Sequence, residues 1–302
     1  MPEGLIIKAL SGYYYVLPDA PGADSVQCRA RGVFKIKGIM PLVGDRVIYE
    51  TEESGEGTVV QILPRTSELI RPPISNVNLA VLIFSLVEPD LNLTLLDKFL
   101  VHTESSGVDA VICLSKLDLL ESEDRVLSCG FTIAEIRSVY EQIGYEIIPV
   151  SIKTKEGVQR VRDRIQGSIS VFAGQSGVGK SSLLNAIMPR LQLETGSISM
   201  RLGRGKHTTR HVELLPLEKG GFVADSPGFS QLDFMQIEAE ELGKSFREFG
   251  SFASDCKFRG CLHAQEPGCA VIRAKQEGRI AGHRYANYLQ FLQEIKDRKR
   301  RY

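Results

Sequence analysis

Residues 174–181 read Gly-Gln-Ser-Gly-Val-Gly-Lys-Ser, a glycine-rich stretch between a predicted buried strand (168–173) and a predicted helix (182–187). Glycines let the backbone wrap a phosphate, and N–H groups at the start of a helix point at the anion. Lys180 can reach the β- and γ-phosphates, and Ser181 can ligate Mg²⁺. In this context a chance glycine turn is disfavoured, and we expect a site for a nucleoside triphosphate. Its residues are Gly174, Gln175, Ser176, Gly177, Val178, Gly179, Lys180, Ser181 and Ser182.

A second phosphate motif lies 45 residues beyond Lys180, where Asp225-Ser-Pro-Gly228 fits D-x-x-G directly after the predicted strand 221–224. We expect Asp225 to hold Mg²⁺ through water, opposite Ser181. The N–H of Gly228 is placed to sense the γ-phosphate. The intervening length leaves room for a helix, a switch loop and a hairpin.

A further motif predicts that the bound nucleotide carries guanine. It is Ser115-Lys116-Leu117-Asp118, which follows the apolar run 110–114 and resembles the N-K-x-D guanine motif. The Asp118 carboxylate can accept hydrogen bonds from guanine N1–H and the N2 amino group. Adenine lacks that paired donor edge, so such a site rejects it. The Lys116 stem can cover the base, and Ser115 replaces the usual Asn. Ser151 and Ile152 follow the next predicted strand, where GTPases place a small residue near the guanine oxygen.

Residues 69–232 are predicted to form one doubly wound α/β domain with a largely parallel sheet, because apolar runs alternate with helical patterns. Ligands bind at the carboxyl ends of such strands, and each motif follows a strand. The predicted strands are 79–86, 110–114, 146–150, 169–173, 212–217 and 221–224, and the predicted helices are 94–104, 133–143 and 157–165.

The order of the motifs is unusual for a GTPase. The guanine elements (115–118 and 151–153) precede the phosphate loop, and D-x-x-G comes last. A parallel sheet assembles in space wherever its termini lie, and termini that are close on the surface tolerate relocation. We therefore predict a circularly permuted GTPase domain. The loop after Asp225 then leads directly into the C-terminal region, so a γ-phosphate-dependent movement should reach it.

Residues 1–68 are predicted to form an OB-like β-barrel that binds RNA. Five short β-like runs separated by turn residues suggest a small barrel. Basic residues near Arg29 are compatible with RNA, whereas the cluster at 13–15 is read as partly core rather than as a base-stacking surface. The runs are 4–10, 13–17, 26–35, 45–50 and 57–63.

Residues 233–302 are predicted to form a mostly helical zinc-binding domain. Cys256, Cys261, His263 and Cys269 supply three thiolates and one imidazole within 14 residues, a standard tetrahedral set. Four protein ligands indicate one structural Zn²⁺, since catalytic zinc keeps an open position. The last helix is predicted over about 268–298.

Composition excludes several classes of protein. The 302 residues contain no run of 18 or more apolar residues and no secretory signal at residues 1–8. The cysteines outside the cluster are scattered, which is not a disulfide framework. We therefore expect a cytoplasmic protein without a membrane partner. Net charge is zero, so only local basic stretches, 201–211 and 296–301, suggest a polyanion.

Permuted motif order, an N-terminal barrel and a C-terminal Cys/His cluster together resemble the ribosome small subunit-dependent GTPase family RsgA (YjeQ/YloQ). The resemblance covers essentially the whole chain. It implies a GTPase that uses GTP/GDP and Mg²⁺, binds the small ribosomal subunit and its ribosomal RNA, and assists its late maturation. Activity would be low alone and would rise on the subunit. We expect a monomer.

The first switch loop is expected around 203–210, where Thr208 or Thr209 would complete the Mg²⁺ shell. Phe229 stands where Ras-like enzymes place a water-orienting Gln, so intrinsic hydrolysis should be slow. The resemblance implies a catalytic histidine in this loop, which here is His207. The alternative is that His207 only contacts RNA as part of a basic loop.

Three rival functions make different predictions. An ATP-dependent metabolic enzyme would show no guanine preference, against Asp118. An RNA-binding module with a purely structural nucleotide site would not hydrolyse GTP, against the intact Lys180 and Asp225. A membrane-directed switch would carry a lipidation motif or amphipathic anchor, which the sequence lacks.

Overall fold

The computed structural model describes residues 1–20, 22–36, 38–52, 55–70, 72–189, 212–225, 234 and 237–299. These residues fall into two compact units. The first unit comprises 1–81, 157–174 and the described residues between 179 and 225, and the second comprises 82–156, 175–178 and the described residues from 234 onward. No described helix is long and apolar enough to cross a membrane.

The strands of the described chain are numbered in order. They are β1 (Glu3–Leu10), β2 (Tyr13–Pro18), β3 (Val26–Ala30), β4 (Arg46–Thr51), β5 (Gly57–Ile62), β6 (Glu68–Ile70), β7 (Pro73–Ser75), β8 (Leu79–Ser85), β9 (Asp109–Ser115), β10 (Glu146–Pro149), β11 (Ile169–Ala173), β12 (Glu213–Pro216) and β13 (Phe222–Asp225).

The helices are numbered likewise. They are α1 (Gly32–Ile36), α2 (Leu93–Ser105), α3 (Ile133–Gln142), α4 (Val158–Arg164), α5 (Lys180–Ile187), α6 (Ala239–Leu242), α7 (Arg247–Ala253), α8 (Ala270–Gln276) and α9 (Gly282–Lys299).

The first unit begins with a closed five-stranded barrel, which confirms the predicted N-terminal fold. The strand order is β1-β2-β3-β5-β4, and β4 also pairs with β1 to close the sheet. Side chains that are buried on alternating positions fill it, among them Ile6, Val16, Val47 and Val59. The predicted strand 26–35 is wrong beyond Ala30, because the last ladder bond runs from Arg31 N to Val59 O and residues 32–36 turn into α1.

The same unit carries the phosphate-loop strand. β11 pairs in parallel with β13, and β13 pairs antiparallel with β12. β12 also meets barrel strand β1 where Lys8 lies opposite Glu213, and their side chains form a 3.1 Å ion pair. A short hairpin, β6–β7, was not predicted, since three-residue strands are too short for a periodic signal.

The second unit contains the guanine-motif strand. Strand β8 crosses into it from the first unit and is buried along its whole length, as expected of a parallel strand covered on both faces. β9 and β10 pair in parallel, and both α2 and α3 begin with side-chain caps, from Asn92 and Thr132. The predicted α/β fold with parallel strands is therefore confirmed for the central part of the chain.

The C-terminal part of the second unit is helical, as predicted. An aromatic core holds it, in which Phe249 and Tyr288 rings lie 4.8 Å apart and Phe246 meets Tyr288 edge to face. The single helix predicted over 268–298 is wrong, because the chain forms α8 and α9 instead. Gly278, at φ +74°, ends α8 in the left-handed conformation that favours glycine.

A buried ionic cluster joins α2, α3, α7 and α9 within this unit. The Arg284 guanidinium donates to Asp97 at 2.6 Å and to both oxygens of Glu248 at 2.8 and 3.0 Å. Asp97 also accepts from Tyr140 Oη at 2.7 Å and from Asn287 Nδ2 at 2.6 Å. Burial alone would lower the pKa of Arg284, but the two carboxylates raise it well above its usual value. The arginine therefore stays charged although its side chain is fully buried.

Candidate nucleotide and metal sites

The guanine motif turns sharply at the end of β9. Lys116 adopts a left-handed φ of +59°, and a short 3₁₀ turn, Leu117–Leu119, follows it. The Ser151 hydroxyl donates to Asp118 Oδ1 at 2.7 Å. That bond fixes one carboxylate oxygen, while Asp118 itself remains exposed. The structure thus brings Asp118 and Ser151 together, with Ile152 next along the chain, as the motif spacing suggested.

Ser115 connects the guanine motif to the phosphate loop. Its buried hydroxyl donates to Val178 O at 2.6 Å and lies 3.3 Å from Phe84 O. A hydroxyl carries one proton, so the shorter contact to Val178 receives it. The serine that replaces the usual Asn therefore still reaches the phosphate loop.

The phosphate loop has the backbone that its glycines predicted. Gly174, Gly177 and Gly179 have φ values of +143°, +81° and +94°, which β-carbon-bearing residues rarely adopt. α5 begins directly after them at Lys180, and Ser181 and Ser182 lie in its first turn. Gln175 and Ser176 complete the loop before buried Val178.

Lys180 reaches back across its own loop. Its Nζ donates to Gly174 O at 2.8 Å. Burial lowers the pKa of Lys180, because an ammonium group loses hydration there. A phosphate anion in the loop would act in the opposite direction and favour the charged form.

Asp225 ends β13 at the edge where the phosphate loop begins. The parallel register places Val171 of β11 opposite Ala224 of β13, so both strands deliver their following residues to one edge. Four predicted site residues lie outside the described residues: His207, Thr208 and Thr209 fall within 190–211, and Gly228 falls within 226–233. For Asp225 the structure describes the backbone but not the side chain.

Four predicted metal ligands converge in one place. The ligand atoms of Cys256, Cys261, His263 and Cys269 all lie within 4.8 Å of one another. His263 Nδ1 is 3.6 Å from Cys256 Sγ and 3.4 Å from Cys269 Sγ, and the two sulfurs are 3.8 Å apart. A tetrahedral zinc site requires sulfurs about 3.8 Å apart and a sulfur–nitrogen separation of about 3.6 Å. The cluster therefore fits a four-coordinate metal ion such as zinc.

Burial and hydrogen bonds from neighbouring residues set the surroundings of the cluster. Burial raises the pKa of Cys261 to about 12, raises the pKa of Cys269 and lowers the pKa of His263. A bound metal ion would therefore have to displace the protons of Cys261 and Cys269. Glu266 orders the loop by accepting from the N–H groups of Leu262 at 3.0 Å and Ala264 at 2.9 Å. Tyr285 Oη donates to His263 O at 2.7 Å from α9.

Cys261→Ser is expected to reduce the bound metal from about one equivalent per chain to a small fraction, because a hydroxyl is a poor replacement for a thiolate ligand. Elemental analysis of the purified protein measures this, and hydrogen exchange should rise over 254–280. Cys129→Ser is the matched control, since this thiol lies outside the cluster. Full metal retention together with unchanged protection in Cys261→Ser would contradict the assignment.

Comparison with known proteins decides the family. The model of the RsgA GTPase matches residues 62–235, and that of the RsgA N-terminal domain matches residues 3–59. The chain belongs to the RsgA family of GTPases. As an RsgA-family enzyme it hydrolyses GTP, and its domain is circularly permuted.

Relatives and solved structures align along the full RsgA-family chain. It is 52% identical to the small ribosomal subunit biogenesis GTPase RsgA of Bacillus subtilis and 53% identical to that of Geobacillus thermodenitrificans. Each alignment covers 100% of this chain and 100% of the relative. The crystal structure of YloQ, a circularly permuted GTPase, matches with a TM-score of 0.83 at 47% identity, over 99% of this chain and 96% of YloQ. YjeQ from Thermotoga maritima matches with a TM-score of 0.84 at 35% identity, over 97% and 98%.

Two site contacts of this RsgA-family chain were missed from the sequence. Lys116 Nζ donates to the backbone carbonyl of Glu88, and a carbonyl acceptor leaves no residue-type signal. Glu266 was also missed, although a lone acid between two predicted ligands, His263 and Cys269, is a usable hint.

Proposed function

We propose that this GTPase binds the small ribosomal subunit and assists its late maturation, hydrolysing GTP to GDP and phosphate with stimulation by the subunit. The observation that carries the proposal is the 52% identity over both whole chains to a protein named for small ribosomal subunit biogenesis. Two hydrogen bonds support GTP as the substrate. Ser151 donates to Asp118 of the guanine motif, and Ser115 of the same motif donates to Val178 O in the phosphate loop.

Each predicted residue takes a role in one GTP site. Asp118 accepts from guanine, the Lys116 stem covers the base beside Leu117, and Ser151–Ile152 lie near the guanine oxygen. The loop 174–182 holds the phosphates through its N–H groups and Lys180. Mg²⁺ would be held by Ser181, Thr209 and Asp225 and would neutralise phosphate charge. Thr208 is the alternative to Thr209.

Zn²⁺ is proposed as one structural ion at the Cys₃His cluster, where all four positions are taken by protein. Barrel, switch loop and cluster region would each contribute phosphate contacts to ribosomal RNA, so binding should weaken with salt. We place domain limits at 1–68, 69–232 and 233–302, and expect a monomer that works in the cytoplasm with its ribosomal partner.

Catalysis is assigned to His207, with Gly228 N–H sensing the γ-phosphate. His207→Ala is expected to lower subunit-stimulated kcat on the order of 100-fold, the contribution of a positioned acid–base group, while GTP affinity stays near normal. Stopped assays at saturating subunit measure kcat, and fluorescent nucleotide titration measures Kd. His211→Ala is the control from the same segment. If His207→Ala instead raises only the subunit concentration needed for half-maximal rate, His207 contacts RNA and is not catalytic.

The proposed function is tested by GTP hydrolysis with the purified chain alone, with isolated small subunits and with isolated large subunits. ATP serves as the substrate control and Lys180→Ala as the enzyme blank. We expect the small subunit to stimulate hydrolysis and the large subunit not to do so. We expect this stimulation with GTP and not with ATP. Equal rates under all conditions would reject subunit stimulation and favour another partner for this GTPase.

A further inference from the structure

The turn between the first two cluster cysteines presents an aromatic ring to solvent. Phe258 is 45% exposed, and its neighbours Lys257, Arg259 and Gly260 are exposed as well. A single exposed apolar side chain is common and indicates nothing by itself. Here, however, the ring lies on an ordered turn and between two cations.

The backbone around Phe258 is held on both sides. Lys257 N donates to Gly268 O at 3.2 Å, and the Lys257 stem packs over Gly268, where an added Cβ would lie 3.2 Å from Lys257 Cβ. Gly260 turns the chain with a φ of +73° before Cys261 enters the metal cluster. A ring on such a turn loses little conformational freedom when it binds.

The charge around the ring is uncompensated. Lys257 Nζ lies 5.4 Å from the Phe258 ring centroid. Within the part of the chain that the structure describes, no ion pair engages Lys257 or its neighbour Arg259. These cations are therefore available to an anionic partner.

The acids of the same segment do not neutralise it. Residues 255–279 contain five Lys or Arg and three Asp or Glu. Glu277 forms an ion pair with Arg279, and the Glu266 carboxylate accepts from backbone N–H groups. Asp255, which is exposed, is the remaining acid of the segment. An exposed aromatic ring with cations beside it is complementary to a nucleobase flanked by phosphates. It is less complementary to a protein surface.

We propose that Phe258 forms a stacking tip for one unpaired base of a single-stranded RNA segment, with Lys257 and Arg259 on the adjoining phosphates. The inference rests on the proposed ribosomal function and names the RNA chemistry that this surface takes. Paired bases in a duplex do not offer their faces, so the tip selects loops, bulges or ends.

The test compares full-length Phe258→Ala, Phe258→Leu and Phe258→Tyr with the unsubstituted chain. Binding to a labelled single-stranded RNA and to the same RNA in a duplex is followed by anisotropy, with zinc content and basal GTP hydrolysis as folding controls. Phe258→Tyr should bind normally, because it keeps the ring. Ala and Leu should each weaken single-strand binding about 5- to 100-fold and leave duplex binding unchanged. Arg259→Gln should lower the salt slope by about one.

Several outcomes would overturn the proposal. If Leu binds single-stranded RNA as well as Phe, or if all variants bind equally, the ring does not stack on a base. If the variants change only the small-subunit concentration needed for stimulation and RNA binding is unaffected, the tip meets a ribosomal protein. Absence of subunit stimulation in the unsubstituted chain would reject the proposed function separately, since the RNA measurement does not depend on it.

Discussion

Asp118→Asn is expected to exchange guanine for xanthine as the preferred base. The Asp118 carboxylate is exposed, and the Ser151 hydroxyl donates to one of its oxygens at 2.7 Å. In the proposed site this carboxylate accepts from two donors of guanine. An amide presents an N–H where the guanine N2 amino group approaches, and xanthine has an acceptor oxygen at that position. Since sites built on such hydrogen bonds discriminate by as much as about 10⁴-fold, guanine affinity should fall by that order and xanthine affinity should rise.

Competition titrations with GDP, xanthosine diphosphate and ADP measure the exchange. Ser151→Ala is the matched control, because it removes the support of Asp118 without changing the carboxylate. Its loss of a hydrogen bond to a charged group should weaken GDP by roughly 10- to 100-fold and leave the guanine preference intact. If the Asp118→Asn chain keeps the original ratio of affinities for GDP and xanthosine diphosphate, Asp118 does not recognise the base.

Arg284→Ala is expected to destabilise the second unit severely. It would leave the Asp97 and Glu248 carboxylates buried without their common cation, and breaking such a pair costs about 3–5 kcal/mol. That loss is a large fraction of the roughly 5–15 kcal/mol by which proteins are stable. Thermal unfolding and hydrogen exchange over α2 and α9 provide the measurement.

Arg137→Ala is the control for charge removal. Arg137 forms an exposed pair with Glu141 one helical turn away, and such pairs contribute only about 0.3–0.5 kcal/mol. Arg284→Lys should be intermediate, since it keeps the charge but loses the fork that bonds both Glu248 oxygens. Equal melting temperatures for Arg284→Ala and Arg137→Ala would mean that the buried cluster does not stabilise the unit.

Local sequence patterns predicted which of the described candidate-site residues lie close together. The four metal ligands lie within 14 residues, so their spacing suggested that they converge, whereas the bond from Lys180 to Gly174 O appears only in the structure. The barrel and the parallel strands followed from apolar runs bounded by turn residues. Ser115 was recognised by its place after β9, and its bond to Val178 explains how a short hydroxyl serves there.

Contacts between distant segments were not predictable in this way. Asp97 and Arg284 look like ordinary charged positions of amphipathic helices, and only the packing of α2 against α9 reveals that both are buried. The break between α8 and α9 was missed because apolar spacing continues past Gly278, although a glycine after a charged turn is a recognised helix stop. The end of β3 was missed because the apolar pattern 26–35 runs through Gly32 into α1.

The 187 positions between Asp97 and Arg284 also set an order of events during synthesis. Chains emerge N-terminus first, so the segment with the guanine motif is made long before the arginine that neutralises Asp97. Until α9 leaves the ribosome, α2 holds a carboxylate that must stay in water, and the second unit cannot close its core. A prematurely terminated chain that lacks α9 would therefore leave Asp97 and Glu248 without their common cation and the core of the second unit incomplete.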